Sequence, residues 1–354
     1  MKLMSALRGA LSSLILVAAL ATTATPARAQ SAYEAALPAE LSTSPALCDY
    51  VPCADVLPGA TSFSARKGQP PYVEAYDRNA PDKKLLGYVM LSTDITDTPA
   101  YSGRPVVTLI GMDTQGRFVG VKVLKHSEPI LLLGIPESAL LKFNAQYLGK
   151  SVADKIEVGQ SRPDENVLGL DAISGATVTV IAQNQVMMAS GSAVARQVGI
   201  LAPTVREPAR YAETGKRLSW AELVQQGTVQ RLRVQPEQVG LDKGPDPFIE
   251  LWFGDLNHPD IGKSLLGENG WNNLRLQLKE GEHAFFIVRT GGKESFKGSG
   301  FVRGGIYDRV QVRQGADSFT FRDLDALNLY GIEAAGAPSY NESVIFIIRS
   351  SAFS

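Results

Sequence analysis

The 354-residue sequence predicts an α+β protein with two folded domains. Between residues 71 and 202, three short runs of apolar and β-branched residues precede two longer segments with helical periodicity, which indicates one α+β unit. Residues 203–218 contain Pro203, Pro208 and several charged side chains, as a linker does. Strand-like runs resume over residues 219–354, which we expect to form a smaller, strand-rich α+β domain.

In the first domain, the pattern predicts strands at residues 85–92, 106–112 and 118–124. Asp113-Thr-Gln-Gly116 separates the last two and is typical of a hairpin connection. A helix is expected around residues 137–147. A second helix runs from Val178, where apolar residues recur on one stripe and Gly199 supplies a C-terminal stop.

The start of the second domain has a capping-box pattern, which predicts that Ser219 caps a short helix and that Glu222 reaches back to it. Strands are expected at residues 248–253, 284–288 and 310–312, and residues 343–348 are typical of a buried strand. The stretch from Gly298 to Gly304 has the wrong spacing for a dinucleotide-binding loop and is not followed by a helical pattern. A glycine hairpin is the favoured interpretation.

Residues 1–29 have the pattern of a secretory signal peptide. Lys2 and Arg8 form a basic start, residues 11–20 are apolar, and Ala27-Arg-Ala29 is a small-residue cleavage site, so the mature chain is expected to begin near Gln30. An uncleaved anchor is the alternative, but the apolar run is short for a bilayer span, which needs about 20 residues. No later segment is long enough either, so we expect no transmembrane helix in the mature chain.

An irregular lead-in rich in Ala, Pro and Ser follows at residues 30–70 and contains both cysteines of the chain, Cys48 and Cys53. An exported chain meets an oxidising compartment, so a local disulfide between them is expected. Neither cysteine belongs to a haem-attachment or iron–sulfur motif. The net charge of −1 does not favour nucleic acid as a partner. We identify no catalytic set and no metal site, because His258 and His283 have no paired ligands at metal spacing.

The segment Asp171-Ala-Ile-Ser-Gly-Ala-Thr-Val-Thr179 combines a nucleophilic hydroxyl with small neighbours and a glycine turn at a helix start. Free N–H groups and the helix dipole favour a phosphate there. The segment resembles the D-x-x-[SG]-G-A-[ST]-x-[ST] motif of FMN-binding domains from sodium-pumping quinone reductases, Rnf-type complexes and the NosR/NirI proteins of denitrification. The alternative interpretation is an ordinary capped helix after a glycine turn.

This resemblance implies the FMN-binding fold of the quinone-reductase and Rnf flavin subunits. It also implies that a flavin transferase esterifies FMN to Thr179 by its phosphate. The cofactor-binding residues would then include the neighbours of Thr179 in the motif, namely Ser174, Gly175, Ala176 and Thr177.

His126-Ser-Glu-Pro129 directly follows the strand predicted at residues 118–124. It resembles the H-x-E-x-P loop that packs beside the isoalloxazine ring in this family, which implies that His126 and Glu128 lie near the flavin. The continuation Leu131-Leu-Leu-Gly-Ile-Pro136 departs from the Pro-Gly-Leu-Gly of the quinone-reductase and Rnf versions and is closer to the NosR type. A strand end with a surface histidine is the alternative.

The resemblance to the NosR family extends over most of the mature chain, through stretches such as Tyr101-Ser-Gly103 and residues 52–59, 87–94 and 296–306. It implies a flavoprotein on the periplasmic side of the bacterial inner membrane that transfers electrons to nitrous oxide reductase, or supports the maturation and expression of that enzyme. The implied partners are a flavin transferase, nitrous oxide reductase and a membrane-embedded iron–sulfur electron donor.

Two alternatives stay open: an Rnf-like or quinone-reductase-like flavin subunit, and a regulatory or sensor module. Full-length members of the NosR family continue into membrane helices and iron–sulfur clusters. This sequence ends at Ser354 before either, so a truncated form, a fragment and a stand-alone homologue are all possible interpretations.

Overall fold

A computed structural model describes residues 36–349, except 81, 164–165, 204–208, 299–300, 302 and 315–316. The signal peptide predicted over residues 1–29 lies outside the described residues. Within the described ranges, no helix combines the length and the apolar character needed to cross a membrane.

A five-stranded antiparallel sheet with its strands in chain order forms the centre of the first domain. The strands are β1 (Ser62–Phe63), β2 (Val73–Asp77), β3 (Lys84–Leu91), β4 (Val107–Asp113) and β5 (Phe118–Lys125). The three predicted strands are confirmed as β3, β4 and β5. The hairpin between β4 and β5 is also present, because Gly116 has a φ of 82° and donates its N–H to the carbonyl of Asp113.

Helices pack on one face of this sheet, around a core that includes Met90, Ile110 and Met112. The helices are α1 (Pro129–Leu133), α2 (Glu137–Ala145) and α3 (Thr177–Gln197), and a parallel pair of strands, β6 (Lys155–Val158) and β7 (Val167–Leu170), lies beside them. The two predicted helices are confirmed as α2 and α3. Gly191 lets α3 approach the sheet closely, since a Cβ there would lie 2.7 Å from a methyl group of Val152.

The lead-in covers the opposite face of the sheet. Leu47, Val56 and Leu57 are buried there against alternate positions of the strands, such as Val89 and Leu109. The boundary expected at residue 70 falls between β1 and β2, which pair in the same sheet. The structure joins Cys48 and Cys53 in a disulfide within this lead-in.

The second domain is built on a five-stranded antiparallel sheet. Its elements are α4 (Trp220–Gln225), β8 (Val229–Val234), β9 (Ile249–Asp255), α5 (Pro259–Arg275), β10 (His283–Gly292), β11 (Ile306–Gln314), β12 (Asp317–Arg322), β13 (Ala326–Leu327) and β14 (Glu342–Ile348). The strand order in the five-stranded sheet is β13-β14-β10-β9-β8. The capping box of Ser219 and Glu222 is confirmed at the start of α4. The predicted strands correspond to β9, β10, β11 and β14.

The prediction of a glycine hairpin from Gly298 to Gly304 is wrong. Among the described residues, β10 pairs with β9 and β14, whereas β11 pairs with β12 in a separate two-stranded sheet. The glycine-rich segment therefore connects two sheets. A local glycine pattern indicates a reversal of the chain but carries no information about which strands pair on either side of it.

The two domains touch beside the loop that follows β3. Arg322 on β12 forms an ion pair with Asp97 at 2.6 Å. Gly103, with a φ of 74°, lies against Gly304 of the second domain, and a Cβ on Gly103 would be 3.0 Å from the Gly304 carbonyl oxygen. The second domain thus contacts the loop that contains Tyr101 and Ser102.

Candidate functional site

The segment predicted to accept FMN forms a tight turn that leads directly into α3. Gly175 has a φ of 79°, a backbone conformation that favours glycine, and the N–H of Ala176 donates to the carbonyl of Ile173 across the turn. Ala176 is the N-cap residue and has no side-chain hydrogen bond to the helix. The amides of residues 177–179 are therefore first-turn N–H groups without a side-chain cap.

Thr179 lies in this first turn, and its side chain is buried, with 1% of the residue exposed. Its hydroxyl group donates a hydrogen bond to Oε2 of Glu128. Glu128 follows β5 and is the N-cap residue of α1, where it has no exposed surface. Burial of a carboxylate requires polar partners, and the hydroxyl of Thr179 is one of them.

Two backbone N–H groups supply the other partners of this carboxylate. Tyr101 donates to Oε2 of Glu128 at 3.1 Å, and Ser102 donates to Oε1 at 2.9 Å. Successive amides that converge on a carboxylate in this way stabilise its charge and fix its orientation. The loop after β3 thus holds Glu128 in place against Thr179.

His126 is buried behind Glu128, and its Nδ1 accepts the backbone N–H of Glu128 at 3.3 Å. In the neutral ring the proton then resides on Nε2, which lies 4.0 Å from a carboxylate oxygen of Glu137. Burial lowers the pKa of His126, while Glu137 and Glu128 act in the opposite direction. The imidazole is therefore a neutral group whose position is coupled to that of Glu128.

Further polar contacts fix the turn and the helix on the rest of the domain. The side-chain amide of Gln146, at the end of α2, donates to the carbonyl of Asp171 and accepts its N–H, at 3.1 and 2.8 Å. One turn after Thr179, the buried Gln183 exchanges hydrogen bonds with the hydroxyl of Thr108 on β4. The start of the acceptor segment and the helical turn that follows Thr179 are thereby anchored to α2 and to β4.

The structure brings together Thr179, Glu128 and His126 in one buried hydrogen-bonded chain. Ala176 is buried, whereas Ser174 and Gly175 on the turn and Thr177 at the start of α3 are exposed. Sequence analysis did not identify the amides of Tyr101 and Ser102 as part of the site. The stretch Tyr101-Ser-Gly103 was noted only as a family resemblance, and backbone amides leave no residue-type signal in a sequence.

This arrangement fits a phosphate ester at Thr179. The uncapped first turn of α3 offers N–H groups and the positive end of the helix dipole to the phosphate. Ser174 and Gly175, on the turn before Thr179, are exposed and small. Glu128 is an acceptor for the proton that the hydroxyl must lose.

Comparison with known proteins identifies an FMN-binding domain in this part of the chain. The family of FMN-binding domains matches residues 101–189, a range that begins at Tyr101 and includes His126, Glu128 and Thr179.

The chain is also similar to longer proteins. It is 41% identical over 285 residues to the regulatory protein NosR of Stutzerimonas stutzeri, with 75% of this chain and 39% of that protein covered. The regulatory protein NosR of Pseudomonas aeruginosa is 39% identical over 305 residues, with 81% and 42% covered. The protein NirI of Paracoccus denitrificans is 24% identical over 274 residues, with 75% and 38% covered.

The chain thus spans about two fifths of the length of these relatives. Over that part, it is a NosR/NirI-type protein with an FMN-binding domain, and its cofactor is FMN.

Proposed function

We propose that Thr179 carries FMN covalently through the phosphate and that the protein is an electron carrier in nitrous oxide reduction. The observation that carries the attachment is the buried hydrogen bond from the hydroxyl of Thr179 to Glu128 at an uncapped helix start. The neighbouring hydroxyl of Thr177 is exposed, and no hydrogen bond to a carboxylate is found for it among the described residues. Of these two hydroxyl groups, the buried one of Thr179 is in contact with a proton acceptor, the carboxylate of Glu128.

Glu128 takes up the proton that Thr179 loses. Its carboxylate already accepts that proton in a hydrogen bond, and the amides of Tyr101 and Ser102 keep it oriented. A phosphate on Thr179 would place a second negative charge beside Glu128, and repulsion between the two is costly in a buried site. Protonation of Glu128 removes this repulsion, so the same transfer that activates the hydroxyl also makes room for the phosphate charge.

FMN supplies the redox chemistry, while the chain orients the cofactor and sets its surroundings. The neutral imidazole of His126 lies in the same buried network, so it can adjust the polarity beside the flavin. We propose that a flavin transferase attaches the cofactor on the periplasmic side of the membrane: the Thr179 oxygen attacks the FMN phosphorus of FAD, the pyrophosphate bond breaks and AMP leaves. A membrane-embedded iron–sulfur protein would donate the electrons, and the copper enzyme nitrous oxide reductase would receive them.

A regulatory role is the second candidate, because the two relatives with 41% and 39% identity are called regulatory proteins. The two roles differ in their dependence on flavin. If Thr179→Ala abolishes nitrous oxide reduction in cells but leaves the expression of the reductase genes intact, the carrier role is supported. Loss of reductase gene expression in this variant supports regulation instead. Regulation is also supported if deletion of the whole chain lowers that expression but Thr179→Ala does not.

Electron transfer is tested with protein that has been exported together with a flavin transferase. The flavin is reduced anaerobically and mixed with nitrous oxide, with and without purified nitrous oxide reductase, while flavin absorbance is followed. We expect reoxidation only when the reductase is present. Reoxidation without the reductase, or none with it, would contradict the proposed role.

A further inference from the structure

The second domain lies outside the match to the FMN-binding family, which ends at residue 189. Its hairpin of β11 and β12 has two different faces. Side chains alternate across β12, so Phe319 and Phe321 pack in the core of the second domain, whereas Thr320 and Arg322 lie on the opposite face. The hairpin therefore has an apolar face toward its own domain and a polar face away from it.

The polar face of the hairpin contacts the FMN-binding domain at three points. Arg322 forms an ion pair with Asp97 at 2.6 Å, and Arg313 forms one with Glu157 on β6 at 2.8 Å. Between them, a longer hydrogen bond of 3.5 Å joins side chains of α3 and β12. The hairpin thus extends along the first domain from the loop after β3 to β6.

Arg322 is held in position from within the second domain. Its backbone N–H donates to Oδ2 of Asp325 at 2.9 Å, and its Nε lies 3.6 Å from the same atom. Asp325 is fully buried, and Nε of Arg349 lies 3.4 Å from its other carboxylate oxygen. An ion pair between two flexible, exposed side chains contributes little, but the side chain of Arg322 is only 19% exposed and belongs to a charge network. Its guanidinium group is therefore a fixed donor for Asp97.

Asp97 lies just before the turn that holds Glu128. Two backbone hydrogen bonds close this turn over residues 100–104, and the amides of Tyr101 and Ser102 within it donate to the Glu128 carboxylate. The position of the turn therefore determines whether both amides reach the carboxylate.

The second domain also contacts the turn itself. Gly103 lies against the carbonyl oxygen of Gly304. The N–H of Gly304 donates to Oδ2 of Asp323 at 3.0 Å, and Asp323 is the residue that follows Arg322. Both contacts of this loop with the second domain therefore lead to two adjacent residues of one segment.

We propose that Arg322 is a positioning residue for the attachment of FMN: through Asp97, it holds the turn of residues 100–104 so that both amides stay on the Glu128 carboxylate. This role rests on the proposed function, in which Glu128 accepts the proton of Thr179. A displacement of about 1 Å in such a constellation can slow a reaction by up to about a hundredfold, so a contact made by another domain can limit its rate. The second domain then has a function of its own, because it completes the attachment site.

Asp97→Ala tests the contact without disturbing the core, because the Asp97 side chain is 66% exposed. Residue-resolved hydrogen–deuterium exchange of the flavin-free mature chain measures how firmly the amides of Tyr101 and Ser102 are held. We expect both to exchange about fivefold faster, which corresponds to about 1 kcal/mol. Asp55→Ala is the matched control, because the Asp55 side chain is 51% exposed and forms an ion pair with Lys122 within the first domain. The control should leave the exchange of both amides unchanged.

The same variants are then loaded with flavin transferase and FAD. Asp97→Ala should lower the maximal rate of covalent incorporation about fivefold without changing the KM for the protein, because the contact positions Glu128 and does not recruit the transferase. Arg322→Gln should give a similar loss, and the double variant should lose no more than either single one, because all three remove the same contact. The control on the same hairpin is Arg309→Gln, since Arg309 pairs with Glu294 within the second domain. Circular dichroism checks that all variants are folded.

Unchanged exchange of the two amides in Asp97→Ala, or a change in KM alone, would overturn the role of Arg322. Glu128→Gln, loaded in parallel, separates this result from the proposed function. If Glu128→Gln slows loading but Asp97→Ala and Arg322→Gln do not, the positioning role is wrong. If Glu128→Gln loads at the unmodified rate, the proposed proton acceptor is wrong, whereas faster amide exchange in Asp97→Ala would still show that Arg322 holds the turn.

Discussion

The hydroxyl group of Thr179 donates a hydrogen bond to the carboxylate of Glu128, which precedes it by 51 residues. The contact joins the first turn of α3 to the N-cap of α1, and both residues are buried. It connects the attachment motif with the histidine-containing loop, which the sequence presents as two separate features. Glu128 therefore belongs both to the proposed attachment site and to the loop that the sequence predicts to lie near the flavin.

Thr179→Ala should give a protein without covalent FMN, because it removes the nucleophilic oxygen. Thr177→Ala is the matched control, since it removes an exposed hydroxyl from the same helical turn and should leave labelling intact. Thr179→Ser should retain some labelling. Peptide mass mapping after coexpression with a flavin transferase measures all three. Covalent flavin in Thr179→Ala would exclude Thr179 as the attachment residue.

Glu128→Gln should slow covalent loading by about a hundredfold, because a general base contributes at least that much to such reactions. The measurement is the rate of covalent flavin incorporation in purified protein treated with flavin transferase and FAD. Glu137→Gln is the matched control, because Glu137 faces His126 at 4.0 Å, whereas the hydroxyl of Thr179 donates to Glu128. Equal rates for Glu128→Gln and the unmodified protein would show that Glu128 is not the proton acceptor.

His126→Ala should retain covalent FMN but shift its absorbance spectrum or its reduction potential. The imidazole accepts the backbone N–H of Glu128, whereas the hydroxyl of Thr179 donates to the Glu128 side chain, so loss of the imidazole should change the surroundings of the flavin more than the nucleophile. Spectroelectrochemical titration of the labelled variant provides the measurement. If neither the spectrum nor the potential changes, His126 does not tune the flavin.

The pKa of His126 predicts a pH dependence of stability. Burial lowers it below the usual value of 6.5, so the unfolded chain binds the proton more readily than the folded protein. The contribution of His126 to the free energy of unfolding is then fully present above the unfolded pKa and is lost as the pH falls through the folded one. Urea unfolding measures the free energy of unfolding at about pH 7.5 and about pH 5. The decrease between the two pH values should be smaller for His126→Gln than for the unmodified protein. An identical decrease in the free energy of unfolding for both proteins would contradict the lowered pKa of His126.

Denatured, unreduced protein should contain no free thiol, because Cys48 and Cys53 are joined in the structure. Replacing both by alanine should lower the free energy of unfolding by about 2 kcal/mol, the value expected for closing a loop this short. Thiol counting and urea unfolding measure the two quantities. Detection of two thiols in exported protein would show that the bond does not form.

Local patterns in the sequence predicted several elements well. Helical periodicity predicted α3 to within one residue at its start, because the apolar stripe and the glycine turn are both encoded within the segment itself. The capping box of Ser219 and Glu222 was predicted for the same reason, since it depends on two side chains three residues apart. The nine-residue motif ending at Thr179 likewise identified the candidate nucleophile.

The sequence by itself thus determined the α+β class and the strands β3, β4 and β5, and it supplied the candidate residues of the flavin site. Only the tertiary structure decided that β11 pairs with β12, that the amides of Tyr101 and Ser102 hold Glu128, and that Glu128 contacts Thr179. The physical reason is that periodicity and capping act over a few residues. Strand pairing and buried polar contacts depend on how segments far apart in the chain are packed together, and backbone donors are the same for every residue except proline.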